Sequence, residues 1–246
     1  MAAKRFLFGT DSHGDMIDPE TARRFCKFSE EYKPHYRIHG GDVFDFRPLR
    51  EGAGAEEKTE SMENDVRAGI EFLNEYRPTQ ILIGNHDVRL WKKAENRTNG
   101  AMRDLCSRLA TEIEKQPSWK RAEVFPYDVR AGVFNIGSLQ FVHGYHAGAN
   151  AARQAIGTYK GTGSVIQGHV HSFSRYSDTG LNRAEGITCG MLGKIDMPYN
   201  EKTPRKLAYE NGWLFGEVFE RKGSSPWEAW FVRKDGDQWI SPIKTN

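Results

Sequence analysis

Few features in this chain invite a covalent scaffold or a membrane. Only three cysteines occur in 246 residues, Cys26, Cys106 and Cys189, widely spaced and with no CxxC. An odd, scattered set excludes a disulfide framework and a cysteine zinc site, so they read as buried or half-buried free thiols. No run approaches the roughly 18 consecutive apolar residues of a spanning helix, and mean hydropathy is −0.68. The apolar stretch Phe6-Leu7-Phe8 is too short for the core of a signal peptide. The chain is therefore expected to be intracellular and cytoplasmic, with no membrane partner and no obligate protein partner evident. Charge of one sign is also missing: the net charge is +2. That balance is too mild to establish a nucleic-acid partner, yet it leaves room for an anionic substrate because charge can be biased locally. No internal repeat, low-complexity tract or interdomain linker is evident. One domain over residues 1–246 is expected.

What is present is a change of rhythm along the chain. Lys4–Gly9 reads as a strand. Pro19–Tyr32 reads as a helix, with Asp18 as its N-cap and Pro19 at its first position. Tyr36–Gly40 and Gln80–Ile83 read as strands, and Thr59–Tyr76 carries Met62, Val66, Ile70 and Leu73 at helical spacing. Arg47–Lys58, rich in Gly, Pro and charge, reads as a mobile loop. A helical segment covers about 88–122, its second half striped by Met102, Leu105, Leu109 and Ile113. Its basic residues, from Arg89, Lys92 and Lys93 to Arg103, Arg108 and Arg121, read as a solvated face in preference to a binding patch. Short strands follow at Glu123–Tyr127, Val133–Ile136, Leu139–Val142 and Val165–Gln167, with a helix at Ala149–Tyr159. From about residue 172 the chain reads as β: Ser172–Ser177, Glu185–Cys189, Trp213–Glu220 and Trp227–Lys234, then an Asp235-Gly236 turn into Trp239-Ile240. Four of the six tryptophans fall after Leu207 and read as a sheet face packing the core, not as base-stacking platforms. Strand–helix alternation followed by strands predicts an α/β fold of two mixed sheets packed face to face, with helices outside both.

Five motifs punctuate this pattern: Asp11-Ser12-His13, Gly41-Asp42, Gly84-Asn85-His86-Asp87, His143-Gly144 and Gly168-His169-Val170-His171. Five of the eight histidines lie in them. Each motif offers oxygen or nitrogen ligands where a strand should end, and oxygen and imidazole donors suit Mn, Fe or Zn. A pair of divalent ions about 3.5–4 Å apart can clamp a phosphate and activate water. Glycines beside the ligands let the backbone turn sharply toward the ions.

In these motifs the chain resembles the calcineurin-like metallophosphoesterase superfamily, whose pattern is DxH, GD, GNH[D/E], H and GHxH. All five elements are present in order from Asp11 to His171. The resemblance implies a four-layer αββα sandwich and two divalent ions, with Mn foremost and Fe, Zn, Ni or Mg as alternatives. It implies that Asp11, His13 and His171 bind one ion and Asn85, His143 and His169 the other, with Asp42 bridging. It gives His86 the role of general acid and makes the nucleophile a metal-bridging hydroxide.

Related protein phosphatases carry GDxxDRG, whose second Asp orients the catalytic His. Asp45 occupies that position here, but Phe46 stands in place of the phosphate-clamping Arg, and Arg47 comes one step later. The third motif ends in Asp87 where those phosphatases have Glu, and Asp87 is expected to fix a loop or a ligand imidazole. Both departures favour a phosphodiesterase or nuclease acting on nucleic acid or nucleotides, with a similarity to some phage and prophage enzymes. The alternatives are a phosphomonoesterase and a non-catalytic scaffold of the same fold. The Arg47–Lys58 loop is expected to border the phosphate site, with Arg47, Arg50 and His146 as substrate contacts. His35 and His39 read as structural, and Asp15 and Asp18 as turn and cap residues.

Overall fold

The structure, a computed structural model, describes residues 3–97, 99–159, 163–179, 183–196, 208–219 and 225–243. Strand β1 (Lys4–Gly9) leads to helix α1 (Pro19–Tyr32), whose N-cap Asp18 accepts a hydrogen bond from Thr21 N at 2.8 Å. Strand β2 (Tyr36–His39) follows. The predicted loop at 47–58 is instead built from a 3-10 turn, Arg47–Leu49, and a short helix α2 (Ala55–Thr59). The reason is ion pairing that composition does not reveal. Arg50 forks onto Glu57, and Glu57 accepts Gly54 N at 2.8 Å.

The helix predicted from Thr59 starts later, as α3 (Met62–Tyr76), because Ser61 caps it by accepting Asn64 N at 3.2 Å. After β3 (Gln80–Leu82), the long helical stretch divides into α4 (Val88–Ala94), α5 (Gly100–Lys115) and α6 (Pro117–Arg121). Asn99 makes the first division by capping α5 through Met102 N at 3.1 Å. Strands β4 (Glu123–Phe125), β5 (Phe134–Ile136) and β6 (Leu139–Val142), helix α7 (Ala151–Thr158) and strand β7 (Ser164–Gln167) complete the alternating part. Then come β8 (Ser174–Ser177), β9 (Glu185–Thr188), β10 (Gly212–Val218), β11 (Trp227–Asp235) and β12 (Gln238–Ile240). Glu220, the predicted end of the strand from Trp213, lies outside the described residues. Among the described residues no helix is long and apolar enough to cross a membrane.

Two mixed sheets result. The first has order β12-β11-β10-β1-β2-β3-β4, the second β5-β6-β7-β9-β8. Strands β1 to β4 run parallel, and β10 adds antiparallel to the free edge of β1, with Phe6 opposite Gly216. The β-rich C-terminal part is thus shared between the sheets, which strand propensity could not foretell.

The period-2 alternation of side chains sorts the layers. Phe6 and Phe8 of β1 and Leu214 and Val218 of β10 face inward and meet Phe141, Ile166 and Ile187 of the second sheet. Leu7, Trp213 and Phe215 point the other way, onto Phe25 and Phe28 of α1 and Phe72 and Tyr76 of α3. On the far side, Ala155 and Ile156 of α7 cover Val142 and Val165. The architecture is helix, sheet, sheet, helix. Helices α3 to α6 form a further apolar cluster around Phe44 and Phe46, beside the first sheet. The late tryptophans serve packing: Trp213 is buried against Phe25, with ring centroids 5.6 Å apart.

Phe141 stands where the sheets meet, fully buried, its ring centroid 5.0 Å from Phe6 and 5.8 Å from Phe8. Phe141→Ala should cost about 3–5 kcal/mol through lost burial and the cavity left behind. Urea unfolding should show a lower midpoint with an unchanged slope; a loss below about 1 kcal/mol would mean that this inter-sheet core repacks freely.

Candidate metal centre

The site is assembled by strand ends. Beyond β1 the chain reaches Asp11 and His13, beyond β2 Asp42, beyond β3 Asn85 and His86, beyond β6 His143, and beyond β7 His169 and His171. Five of these residues have left-handed backbones: Asp11 (φ 55°), His13 (φ 54°), Asp42 (φ 52°), His169 (φ 67°) and His171 (φ 60°). Non-glycine residues avoid this region, so such a concentration is backbone strain of the kind that gathers at functional sites. The surrounding ladder holds it in place: Asp11 N donates to Gly41 O at 2.9 Å and His13 N to Asp42 O at 2.9 Å. Gly84 shows how closely the loops approach. A Cβ there would lie 2.0 Å from Asp42 Oδ1 and 2.3 Å from Asp42 N.

The predicted ligands fall into two groups. In one, His171 Nε2 lies 3.1 Å from Asp11 Oδ1 and 3.2 Å from His13 Nε2. In the other, His143 Nε2 lies 3.0 Å from Asn85 Oδ1 and 3.3 Å from Asp42 Oδ2, with the His169 ring 5.2 Å from that of His143. Within Asp11, His13 and His171, and within Asp42, His143 and His169, the donor atoms lie inside 4.8 Å of one another. Buried imidazole nitrogens aimed at each other and at a carboxylate make poor mutual hydrogen bonds and a good cation cradle. The donors are imidazole nitrogen, carboxylate oxygen and one carboxamide oxygen, a set suited to Mn, Fe or Zn. The residues present therefore fit two divalent ions. His143 is further aimed by Nδ1–H donation to Gly40 O at 2.9 Å, the outer hydrogen bond that a ligating imidazole commonly makes.

His86 stands beside these groups. Its backbone N–H donates to Asp42 Oδ1 at 2.8 Å, and its Nδ1–H donates to Asp45 Oδ1 at 2.5 Å. Asp45, fully buried, also lies 3.4 Å from His13 Nδ1 and accepts from Arg47 Nη1 at 2.8 Å. With its acceptor capacity so used, Asp45 is a hydrogen-bonded support and not a third ligand group. Asp87 does fix loops: it accepts from Val43 N at 3.2 Å, Phe44 N at 2.8 Å and Gly84 N at 2.9 Å, joining the ends of β2 and β3.

Arg47, one of the predicted substrate contacts, is engaged within the protein. Arg47 is only 5 % exposed, and its guanidinium is spent on Asp45, on Asp15 at 2.7 Å and on Glu60. Each of its three nitrogens already donates to an acid, which leaves it little charge to offer a phosphate. His146 hydrogen-bonds Thr158 Oγ1 on α7 at 2.6 Å, through Nε2. Arg50 remains partly exposed beside Glu57. Asp15, expected in a turn, is an ion-pair partner of Arg47. His39 is structural, with Nε2 3.1 Å from Ser12 Oγ. One supporting residue escaped sequence reasoning: Asp65 of α3 accepts Asp45 N at 3.1 Å and Phe46 N at 2.7 Å. An acid within a helical pattern gave no sign of it.

The electrostatics follow from burying acids and imidazoles together. Burial opposes ionisation of Asp11, but the charge and hydrogen bond of His171 outweigh it and hold the carboxyl well below its usual range. Burial is likewise overcome at Asp42 by His143 and His86, and at Asp45 by His13 and His86. Burial also resists protonation of His13 and His143, yet Asp45 raises the first to about 9 and Asp42 the second to about 9. Burial, reinforced by the His143 charge, takes His169 down to about 4. A metal-bound imidazole must be neutral. At pH 7 the metal-free His13 and His143 hold protons and His169 does not. Metal binding should thus release about two protons at pH 7, and fewer as pH rises through 9. Calorimetry in buffers of different ionisation enthalpy reads this directly; no release at pH 7 would contradict the assignment.

Against known proteins, the sequence profile of the calcineurin-like phosphoesterase family matches residues 4–173. No curated protein sequence matches. Among solved structures, the fold is similar to a phosphatase from Mycoplasma pneumoniae, with a TM-score of 0.52 and 14% identity over 96% of this chain and 95% of that one. Vacuolar protein sorting 29 from Cryptosporidium parvum matches with a TM-score of 0.41 and 14% identity over 95% of this chain and 100% of that one. A dimetal phosphatase from Danio rerio matches with a TM-score of 0.43 and 10% identity over 91% and 98%. Identities this low bear on fold alone. The profile, however, spans well over half of the chain and all five strand-end motifs, and the chain belongs to the calcineurin-like phosphoesterase family.

Proposed function

We propose that this chain is a metal-dependent phosphodiesterase that cleaves nucleic acid or a nucleotide, with His86 as general acid. The family and fold are those of metal-dependent phosphoesterases. The observation that carries the diester reading is the engagement of Arg47. A monoester dianion is well served by a guanidinium clamp. Here that guanidinium is buried against Asp15, Asp45 and Glu60. A diester carries less charge at the reacting phosphorus and needs the clamp less.

Two divalent ions at the ligand groups, manganese foremost, would polarise the phosphoryl oxygens and make hydroxide available at neutral pH. The chain's own part is to orient and to move a proton. Donation of Nδ1–H to Asp45 fixes the His86 ring, and Asp45 stays ionised under the pull of His13 and His86. His86 Nε2 lies 3.9 Å from Asp42 Oδ2, so a proton held there can pass to a leaving oxygen beside the ligands. Arg47 and Asp65 keep Asp45 in position. An intact acid and an intact ligand set favour catalysis over a scaffolding role.

With manganese supplied, bis-p-nitrophenyl phosphate should be turned over at least about tenfold more efficiently than p-nitrophenyl phosphate, judged by kcat/KM. The opposite preference would make the protein a phosphomonoesterase.

His86→Ala should lower kcat by about 10²–10⁴ on a diester with an alkoxide leaving group, with metal content retained. The loss should shrink for p-nitrophenolate, which hardly needs a proton. Asp45→Asn should act in the same direction and add little to His86→Ala. Multiplicative defects in that double-mutant cycle, at equal metal content, would show that Asp45 does not work through His86.

A further inference from the structure

A groove of about 1050 Å³ opens at Arg89, between the 3-10 turn with α2 on one side and α4 with the start of α5 on the other. It exceeds the usual size of a small-molecule pocket, and its walls are cationic. Lys58, Arg89, Lys92 and Lys93 line it, together with Arg50, which is paired with Glu57, and one lining acid, Glu51. Among the described residues no acid pairs with Lys58, Lys92 or Lys93, whereas Arg103 and Arg108 on the outer side of α5 pair with Asp104 and Glu63. The basic stretch is therefore not one solvated face. Its first part lines a cavity, and Arg103 and Arg108 of its later part are neutralised at the surface.

Arg89 is the groove's link to the reaction centre. Arg89 Nη1 lies 3.1 Å from His86 Nδ1 and donates to Asp45 O at 3.1 Å. Lys92 and Lys93 follow at three and four residues, on the same face of α4, carrying the positive charge about 6 Å along its axis. That is roughly the axial rise of two stacked nucleotides, at ~3.4 Å each. The remaining wall mixes amide groups, Asn96 and Asn99, with the apolar side chains Leu49 and Met102. Such a wall suits bases, which have apolar faces and polar edges.

We propose that this groove is a subsite for the nucleic-acid strand on the leaving-group side of the scissile phosphate, its phosphates held by Arg89, Lys92, Lys93 and Lys58. The assignment rests on the phosphodiesterase reading above, because His86 hands its proton to the leaving oxygen and Arg89, on the groove wall, stands against His86. An acidic polypeptide is the competing polyanion, but it lacks the flat faces that the Leu49 and Met102 wall would cover.

The test separates binding from turnover. A fluorescein-labelled, phosphorothioate-linked dT12, chosen to resist hydrolysis, is titrated with metal-loaded wild type, with Lys92→Ala/Lys93→Ala and with Lys92→Glu/Lys93→Glu. Anisotropy should show binding by wild type at 50 mM salt and a loss of about tenfold or more in the charge reversal. The salt slope of log K should shrink by about 1.4 in the double alanine variant, 0.7 for each lost contact. All three proteins should turn over bis-p-nitrophenyl phosphate within twofold of one another, since that leaving group carries no further phosphate. The subsite is overturned by wild type that does not bind dT12, by variants that bind it equally, or by variants that lose bis-p-nitrophenyl phosphate turnover in step with binding. Displacement of dT12 by polyglutamate of equal charge as effectively as by unlabelled dT12 would overturn the nucleic-acid assignment. Failure of the underlying reading looks different: wild type then hydrolyses p-nitrophenyl phosphate and spares the diester, whatever dT12 does.

Discussion

Five carboxylates, those of Asp11, Asp42, Asp45, Asp65 and Asp87, are buried at one end of the two sheets. Taking a carboxylate out of water is costly unless it is paired or fully hydrogen-bonded. The acids here meet that demand unequally: burial still pushes Asp65 up to about 7 and Asp87 up to about 6. Asp87 and Asp65 take backbone N–H groups from the loops that carry Asp42 and Asp45. Asp45 is held by two imidazoles and a guanidinium. Asp11 and Asp42 face histidines and have room for cations. Divalent ions would replace the protons that the metal-free histidines must otherwise hold. The ligand groups are thus in an electrostatic condition that metal relieves.

That condition explains why the site sits where strands stop. A strand interior commits its backbone groups to the ladder and its side chains to alternate faces. Past the last ladder bond the chain is free to adopt left-handed turns, and five ligand residues use them. The strain is carried by the packed sheets beneath, whose aromatic inner face around Phe6, Phe8 and Phe141 gives the strand ends a rigid base. Close approach of the β2 and β3 loops then brings Asp42 to Gly84 and to the His86 amide, and couples the ligand groups to the general acid.

Arg47 and Arg89 illustrate how the same residue type can serve two ends. Both follow a metal motif closely. Arg47 lies under the turn and neutralises acids from three parts of the chain. Arg89, the second residue of α4, opens onto a groove with little acid in it. The difference is one of burial and partners. It explains why a basic residue beside a metal motif cannot be assigned to substrate from sequence position.

Much of the architecture was legible in the residues. Strands such as Leu139–Val142 and helices such as Pro19–Tyr32 announce themselves through local periodicity and caps, which act over a few residues. The ligand types were legible for a similar reason: Asp, His and Asn beside glycine at the end of an apolar run leave few other uses. The division of the long helical stretch hung on Asn99 and the late start of α3 on Ser61, polar residues whose capping role shows only once the flanking backbone is set. What the sequence by itself determined was which elements form and which donors stand at their ends, because those depend on short-range chemistry. The tertiary structure alone decided that β10 to β12 join the first sheet, that Asp15 and Glu60 consume Arg47, and that Arg89, Lys92 and Lys93 share a groove with Arg50 and Lys58. Each of these joins residues that are distant in the chain, and pairing across such distances is settled by packing and burial, which no local pattern encodes.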